Sequence, residues 1–224
     1  MNDPQRSLES IQDIRNMMER SSRFISLSGW SGISAGVCAL VGAGFAYQYL
    51  HPVSKDFVMD TYEIMSVQTA RNEVARFDSA AEGIISSALF WIGVITFVAA
   101  FASAFIFTYK KSKKQNIPIW GKASKRLMFS VMIPMIAGGI FMYRMIELGI
   151  FGLVAPACLV FYGLALLNAS KYTLTEIRYL GIAQIILGLL NCWSIGYGLY
   201  FWAAGFGIMH IVYGLVMWWR YERN

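Results

Sequence analysis

Three observations predict an all-α polytopic membrane protein, a bundle of six transmembrane helices preceded by an amphipathic N-terminal helix. Only 14% of the residues are charged while 57% are hydrophobic, against about 25% charged in a soluble domain. The apolar residues gather into runs of roughly 20, the length that carries a helix across about 30 Å of hydrocarbon. The lysines and arginines are concentrated between alternate runs, as expected when one side of a membrane retains them.

Residues 1–23 are polar and form the first unit. Asp3 is placed to cap a helix with Pro4 at its first position. Leu8, Ile11, Ile14 and Met18 fall near one face, and Arg6, Arg15, Arg20 and Arg23 lie elsewhere. Such a helix either lies on anionic headgroups or docks a partner. Residues 24–224 form the second unit, with spans at about 24–50, 84–109, 127–146, 149–167, 179–200 and 203–219. The first span is expected to be its own uncleaved targeting signal.

The first span is rich in small residues, with Gly32 and Gly36 as a GxxxG pair. That spacing lets another helix approach closely, within the chain or from a second copy. The outer loop, 51–83, holds six acids and three bases. Its Val67, Ala70, Val74 and Phe77 share a helical face, so it is read either as a lid on the span ends or as a surface for a partner or ligand. The basic loop, 110–126, holds Lys110, Lys111, Lys113, Lys114, Lys122, Lys125 and Arg126. Pro134 and Gly138–Gly139 are kink points in the third span. Arg144 and Glu147 close that span as an i, i+3 pair, read as a surface anchor or a coupling pair. The three cysteines (Cys38, Cys158, Cys192) all lie in apolar runs, so they are expected to be buried hydrophobes and not a disulfide framework.

Leu180–Trp219 is the most informative stretch, nearly forty apolar residues broken near Gly196–Gly205. On its first half Gly181, Gln184, Gly188 and Asn191 recur at i, i+3, i+7 and i+10, one helical face. The glycines serve packing, and the amides must find partners in lipid. The second half carries His210. Counting helical rise from the span ends places Asn191 and His210 at similar depths, roughly 18 and 20 Å. Gln184, Asn191 and His210 are therefore read either as interhelical bonds, with His210 bonded to a neighbouring hydroxyl such as a tyrosine's, or as a shared polar pocket.

With six spans both ends lie on one side. If that side is cytoplasmic, fifteen bases are inside and four (Lys55, Arg71, Arg76, Arg144) outside, the asymmetry of cytoplasmic loops. The net charge of +6 is thus a matter of membrane sidedness, and nucleic-acid binding is not expected. The partners expected are the lipid bilayer and a membrane protein met through the outer loop or the N-terminal helix.

Residues 168–181 (NASKYTLTEIRYLG), 196–202 (GYGLYFW) and 205–214 (GFGIMHIVYG) resemble an uncharacterised family of small six-span inner-membrane proteins of Bacteroidota. Residues 14–29 (IRNMMERSSRFISLSG) resemble the N-terminus of that family. The match covers the chain apart from the outer loop. It implies location and topology, and brings no catalytic residue with it.

Enzymatic readings are weak. Gly29-Trp30-Ser31-Gly32 is similar to the Gly-x-Ser-Gly serine of rhomboid intramembrane proteases, with His210 as the base such a serine needs. Here, however, the motif is on the first span instead of the fourth, and no histidine on the second span supports an oxyanion site. Two histidines are too few for a histidine-rich metal centre, and no cofactor is expected. The chain is read first as a non-catalytic structural or accessory subunit of a membrane assembly. The alternative is small-molecule or ion transport through a polar pocket of Gln184, Asn191 and His210.

Overall fold

The computed structural model describes residues 28–50, 88–114 and 121–223. The N-terminal segment 1–23, the outer loop 51–83 and the centre of the basic loop lie outside the described residues. The described chain is helical: α1 (Gly29–Leu50), α2 (Ala88–Lys114), α3 (Lys122–Glu147), α4 (Val154–Ala169), α5 (Glu176–Trp193), α6 (Gly198–Trp202) and α7 (His210–Tyr221). A 3₁₀ turn, Phe151–Leu153, leads into α4, and a π-helical segment, Ala203–Met209, joins α6 and α7 into one column. Helix is the form in which a segment in lipid satisfies its own backbone groups.

Five units are long and apolar enough to cross a membrane: α1, α2, α3, α4 with its 3₁₀ turn, and the α6–α7 column. The sixth helix, α5, is more polar because it carries Glu176, Arg178, Gln184 and Asn191 within its 18 residues. It packs along α4 and beside the last column, which completes a six-helix membrane bundle.

The ends of the helices follow local chemistry. α3 stops in a Schellman motif: Gly149, at φ 73°, donates to Ile146 O at 3.0 Å, and Ile150 N–H reaches Met145 O at 2.9 Å. Glycine fits that left-handed position because it has no Cβ. α5 ends at Trp193, before residue 200 where composition alone carries the span. A turn intervenes, with Tyr197 N–H on Ser194 O at 3.2 Å and Gly196 at φ 100°. α2 in contrast runs on past Tyr109 to Lys114, placing lysines in its last turn, where the helix dipole favours cations.

Pro134 sits inside α3 and has no N–H to give Ser130 O, its i−4 carbonyl. Asn168 on α4 supplies the missing donor, Nδ2 to Ser130 O at 3.1 Å. The α3–α4 seam continues through Gly138, which lies against Phe161, and through Cys158 Sγ, 3.0 Å from Met142 Sδ.

The helices form an array with the α6–α7 column at its centre. The column touches α1, α4 and α5, while α2 packs on α1 and α3 on α4. Glycines set the closest approaches. A methyl on Gly29 would lie 2.5 Å from Trp218 N, one on Gly36 2.6 Å from Gly207 O, and one on Gly32 3.1 Å from Gly214 Cα. The GxxxG of the first span is thus used within the chain. Gly181 and Gly188 serve the α4–α5 seam in the same way, against Gly163 O at 2.9 Å and Pro156 O at 2.9 Å. Cys38 and Cys158 are half-buried. Cys192 is exposed, contrary to the expectation of burial, because it follows Asn191 by one residue and turns away from the buried Gln184–Asn191 face.

Two carboxylates fasten one end of the array. Glu222, just past α7, accepts from Gly29 N–H at 2.9 Å and Lys111 Nζ at 2.9 Å. Glu176, at the start of α5, pairs with Arg220 at 2.9 Å and accepts from Tyr221 O–H at 2.8 Å. The start of α1 and the end of α7 therefore lie at the same end of the bundle. Burial pushes the Glu222 carboxyl up, but Lys111 and the donors Gly29 N–H and Ser28 O–H together hold it below its usual value.

We predict that Gly36→Leu and Gly32→Leu lower thermal stability in detergent, each by about 1–3 kcal/mol or more, since an overpacked contact against backbone must shift a helix. Gly44→Ala and Gly139→Ala, with nothing near the added methyl, should leave it unchanged. Equal effects at both pairs would contradict the packing described. For Glu222, a depressed folded pKa stabilises above the unfolded carboxylate value of about 4.3, and that contribution is lost as pH falls through the lower folded value. Melting curves across this window should show a Glu222→Gln variant with a shallower acid loss than wild type; identical slopes would refute the contribution.

Candidate functional site

The candidate site is the polar face that α5 turns toward α4 and the last column. Gln184 and Asn191 are fully buried, with 0% exposure, and His210 is nearly so. Leu159, also at 0%, lies in the same layer, beside Gly205 and Gly188.

Gly205 organises the inner part of the site. Its carbonyl lies in the π-helical segment and accepts from Gln184 Nε2 at 2.7 Å. His210 Nδ1 lies 3.0 Å from the same oxygen. A carbonyl only accepts, so Nδ1 is the donor, and in a neutral ring Nε2 is then the acceptor. Tyr162 O–H donates to Nε2 at 2.7 Å. The Phe206 ring stacks over His210, with centroids 6.1 Å apart and planes at 17°. A serial network Tyr162–His210–Gly205–Gln184 thus ties α4, the last column and α5 together. A methyl on Gly205 would lie 2.5 Å from both Gln184 Oε1 and Leu159 Cδ2, which is why the position takes glycine.

Asn191 stands apart from this network. Its Nδ2 and Oδ1 are both buried without a partner among the described residues, as is Gln184 Oε1. Its neighbour on the last column is Gly198, where a methyl would lie 3.9 Å from Asn191 Nδ2 and 3.1 Å from Ala155 Cβ. Twelve residues separate Gly198 from His210, roughly 18 Å of helix. The similar depth expected for Asn191 and His210 therefore does not hold: α5 and the column run antiparallel, with Gln184 opposite Gly205 and Asn191 opposite Gly198. Counting from assumed span ends fails because α5 stops at Trp193 and the column begins at Gly198.

The other residues singled out by sequence are placed as follows. Arg144 Nη1 pairs with Glu147 Oε2 at 2.9 Å, with the Arg144 side chain 56% exposed. This is a surface pair at the end of α3, away from the buried polar face. Ser31 Oγ donates to Ser28 O, and both ring nitrogens of His210 are engaged elsewhere, so serine and histidine do not form a nucleophile–base couple even though α1 packs on α7. Among the described residues no group of three metal-ligating side chains comes together.

Two participants escaped the sequence reading. Tyr162 belongs to a chain with many tyrosines, and nothing local distinguishes it. Asn168 did have a signal: a proline inside a helix frees the carbonyl four residues before it, and an amide on the next span is a fitting donor.

Gln184 and Asn191 differ in what their loss should do. We predict that Gln184→Leu lowers the melting temperature in detergent by removing a bond across the α5–column seam, worth about 1 kcal/mol net. Asn191→Leu, of similar volume, should be neutral or stabilising because it removes an unpaired buried amide. A clear destabilisation by Asn191→Leu would show that the amide has a partner in the folded protein.

No protein-family model, curated protein or solved structure matches this chain.

Proposed function

We propose that this protein is a non-catalytic accessory subunit of an inner-membrane assembly, with both described ends of the bundle on the cytoplasmic side. The observation that carries the reading is the use made of the buried polar groups. Gln184 reaches from α5 to Gly205 O, and His210, bonded to the same oxygen within the column, holds Tyr162 of α4 at its other nitrogen, so these groups fasten helices together instead of facing a path. The array leaves room for a lateral partner. α2 and α3 each lean on one main neighbour and present wide apolar faces, including Ile95, Phe97 and Phe101 on α2 and Phe129, Ile133 and Ile140 on α3. The distribution of bases supports the orientation, and the resemblance of residues 168–214 to inner-membrane proteins of Bacteroidota supports the location.

A second reading, passage or binding of a small polar molecule, draws on Asn191 alone. A fully buried amide with neither atom paired is the kind of group that a polar guest would satisfy.

The deciding experiment is affinity capture of the tagged protein from native membranes in mild detergent, followed by mass spectrometry. A stoichiometric membrane partner is expected, and deletion of residues 55–82 or of the N-terminal segment should release it. A partner-free species would defeat the accessory reading, and flux and ligand assays on Asn191→Ala would then test the second.

A further inference from the structure

A groove of about 400 Å³ runs along the seam of α3 and α4, lined by Pro134, Phe161, Leu164, Leu167, Asn168 and Lys171. We propose that it is a binding site for one anionic phospholipid, with an acyl chain against Phe161, Leu164 and Leu167 and the phosphate at Lys171. The proposal is independent of the accessory-subunit reading.

The first argument is length. Phe161, Leu164 and Asn168 recur at i, i+3 and i+7, one face of α4, and Lys171 follows in the turn after α4 ends at Ala169. The seven-residue rise from Phe161 to Asn168 is about 10 Å, within half of the roughly 30 Å of hydrocarbon, and Lys171 stands in the turn beyond it. The groove therefore fits within one leaflet, with its apolar part inside the hydrocarbon and Lys171 toward headgroup level. Its occupant is a molecule with one long apolar part and one polar end.

The second argument is charge. The Asn168–Ser130 bond sets the register of the two antiparallel helices. Arg126 lies one turn before Ser130 on α3, and Lys171 lies three residues past Asn168, in the turn that follows α4. These two and Lys125 are exposed at the same level. The described acids of this end, Glu176 and Glu222, are already paired with Arg220 and Lys111. Lys125, Arg126 and Lys171 thus form a cationic rim with no ion pair among the described residues, above an apolar trough. A phosphate supplies the complement, and a zwitterionic headgroup supplies less of it. Asn168 adds a donor: Nδ2 spends one hydrogen on Ser130 O and keeps a second for a glycerol or phosphate oxygen.

The third argument is the origin of the trough. Pro134 interrupts the α3 ladder at this level, and Gly138 presses directly on Phe161. α3 touches α4 at Gly138 and again at the Asn168–Ser130 bond, and the trough lies along the seam beside Pro134.

The test is native mass spectrometry of the full chain in mild detergent, titrated with phosphatidylglycerol or phosphatidylcholine of the same acyl length. One phosphatidylglycerol should be retained in preference to phosphatidylcholine. Lys171→Gln should weaken that retention about fivefold, the effect of one cation near a membrane surface. Leu164→Trp, at a 42% exposed position, should abolish it by filling the trough. Glycerophosphoglycerol or inorganic phosphate alone should not displace the lipid. Equal retention of both lipids, wild-type retention by Lys171→Gln, or displacement by the free headgroup would each overturn the proposal. Should Leu164→Trp not fold, the Lys171→Gln arm decides by itself.

Discussion

The arrangement of this bundle depends on how closely other helices can approach the backbone of the last column. In lipid the apolar side chains gain nothing by leaving the hydrocarbon, so helices associate through close contact and hydrogen bonds. Gly207 and Gly214 let α1 lie on the column, and Gly29, Gly32 and Gly36 meet it from the other side. Gly205 does the same for Gln184 and Leu159. α2 and α3 are held at one remove, through α1 and α4.

A second constraint runs beside the first. Where a helix frees a carbonyl in a dry interior, something must answer it. Asn168 answers the oxygen that Pro134 leaves behind. Gly205 O, in the π-helical segment, takes side-chain bonds from Gln184 and His210. Asn168 and Gln184 come from another helix, so a local irregularity becomes a tie, while His210 bonds within its own column and reaches α4 through Tyr162. In the neutral ring the Gly205 bond selects the Nδ1–H tautomer of His210 and leaves Nε2 to accept from Tyr162. That state suits a structural bond between helices.

Much of the fold was legible in the residues, because hydrocarbon imposes length and composition on any helix that crosses it. Runs of apolar residues placed the helices, and the Gly181–Asn191 spacing identified the face of α5 that is buried. Boundaries were less legible where charged residues extend a helix beyond the hydrocarbon, as in Lys110–Lys114, or where two spans are separated only by a short turn, as at Ser194–Tyr197. Of the candidate site, the buried state of Gln184, Asn191 and His210 followed from their setting. Their grouping did not, since it depends on the register of two antiparallel helices, and no local pattern fixes that register. Tyr162 was illegible for the same reason.

The π-helical segment has a geometric consequence. A wide turn holds one residue more than an α-turn, so everything after it is rotated by about 100° relative to an unbroken helix. The column is therefore two helical segments of different phase joined by the wide turn. α6 packs chiefly on α4, and α7 packs chiefly on α1. An unbroken helix of this length keeps the same azimuth throughout and has a single seam. The added residue lets one span change partners along its length, joining the α1–α2 half of the protein to the α3–α4–α5 half.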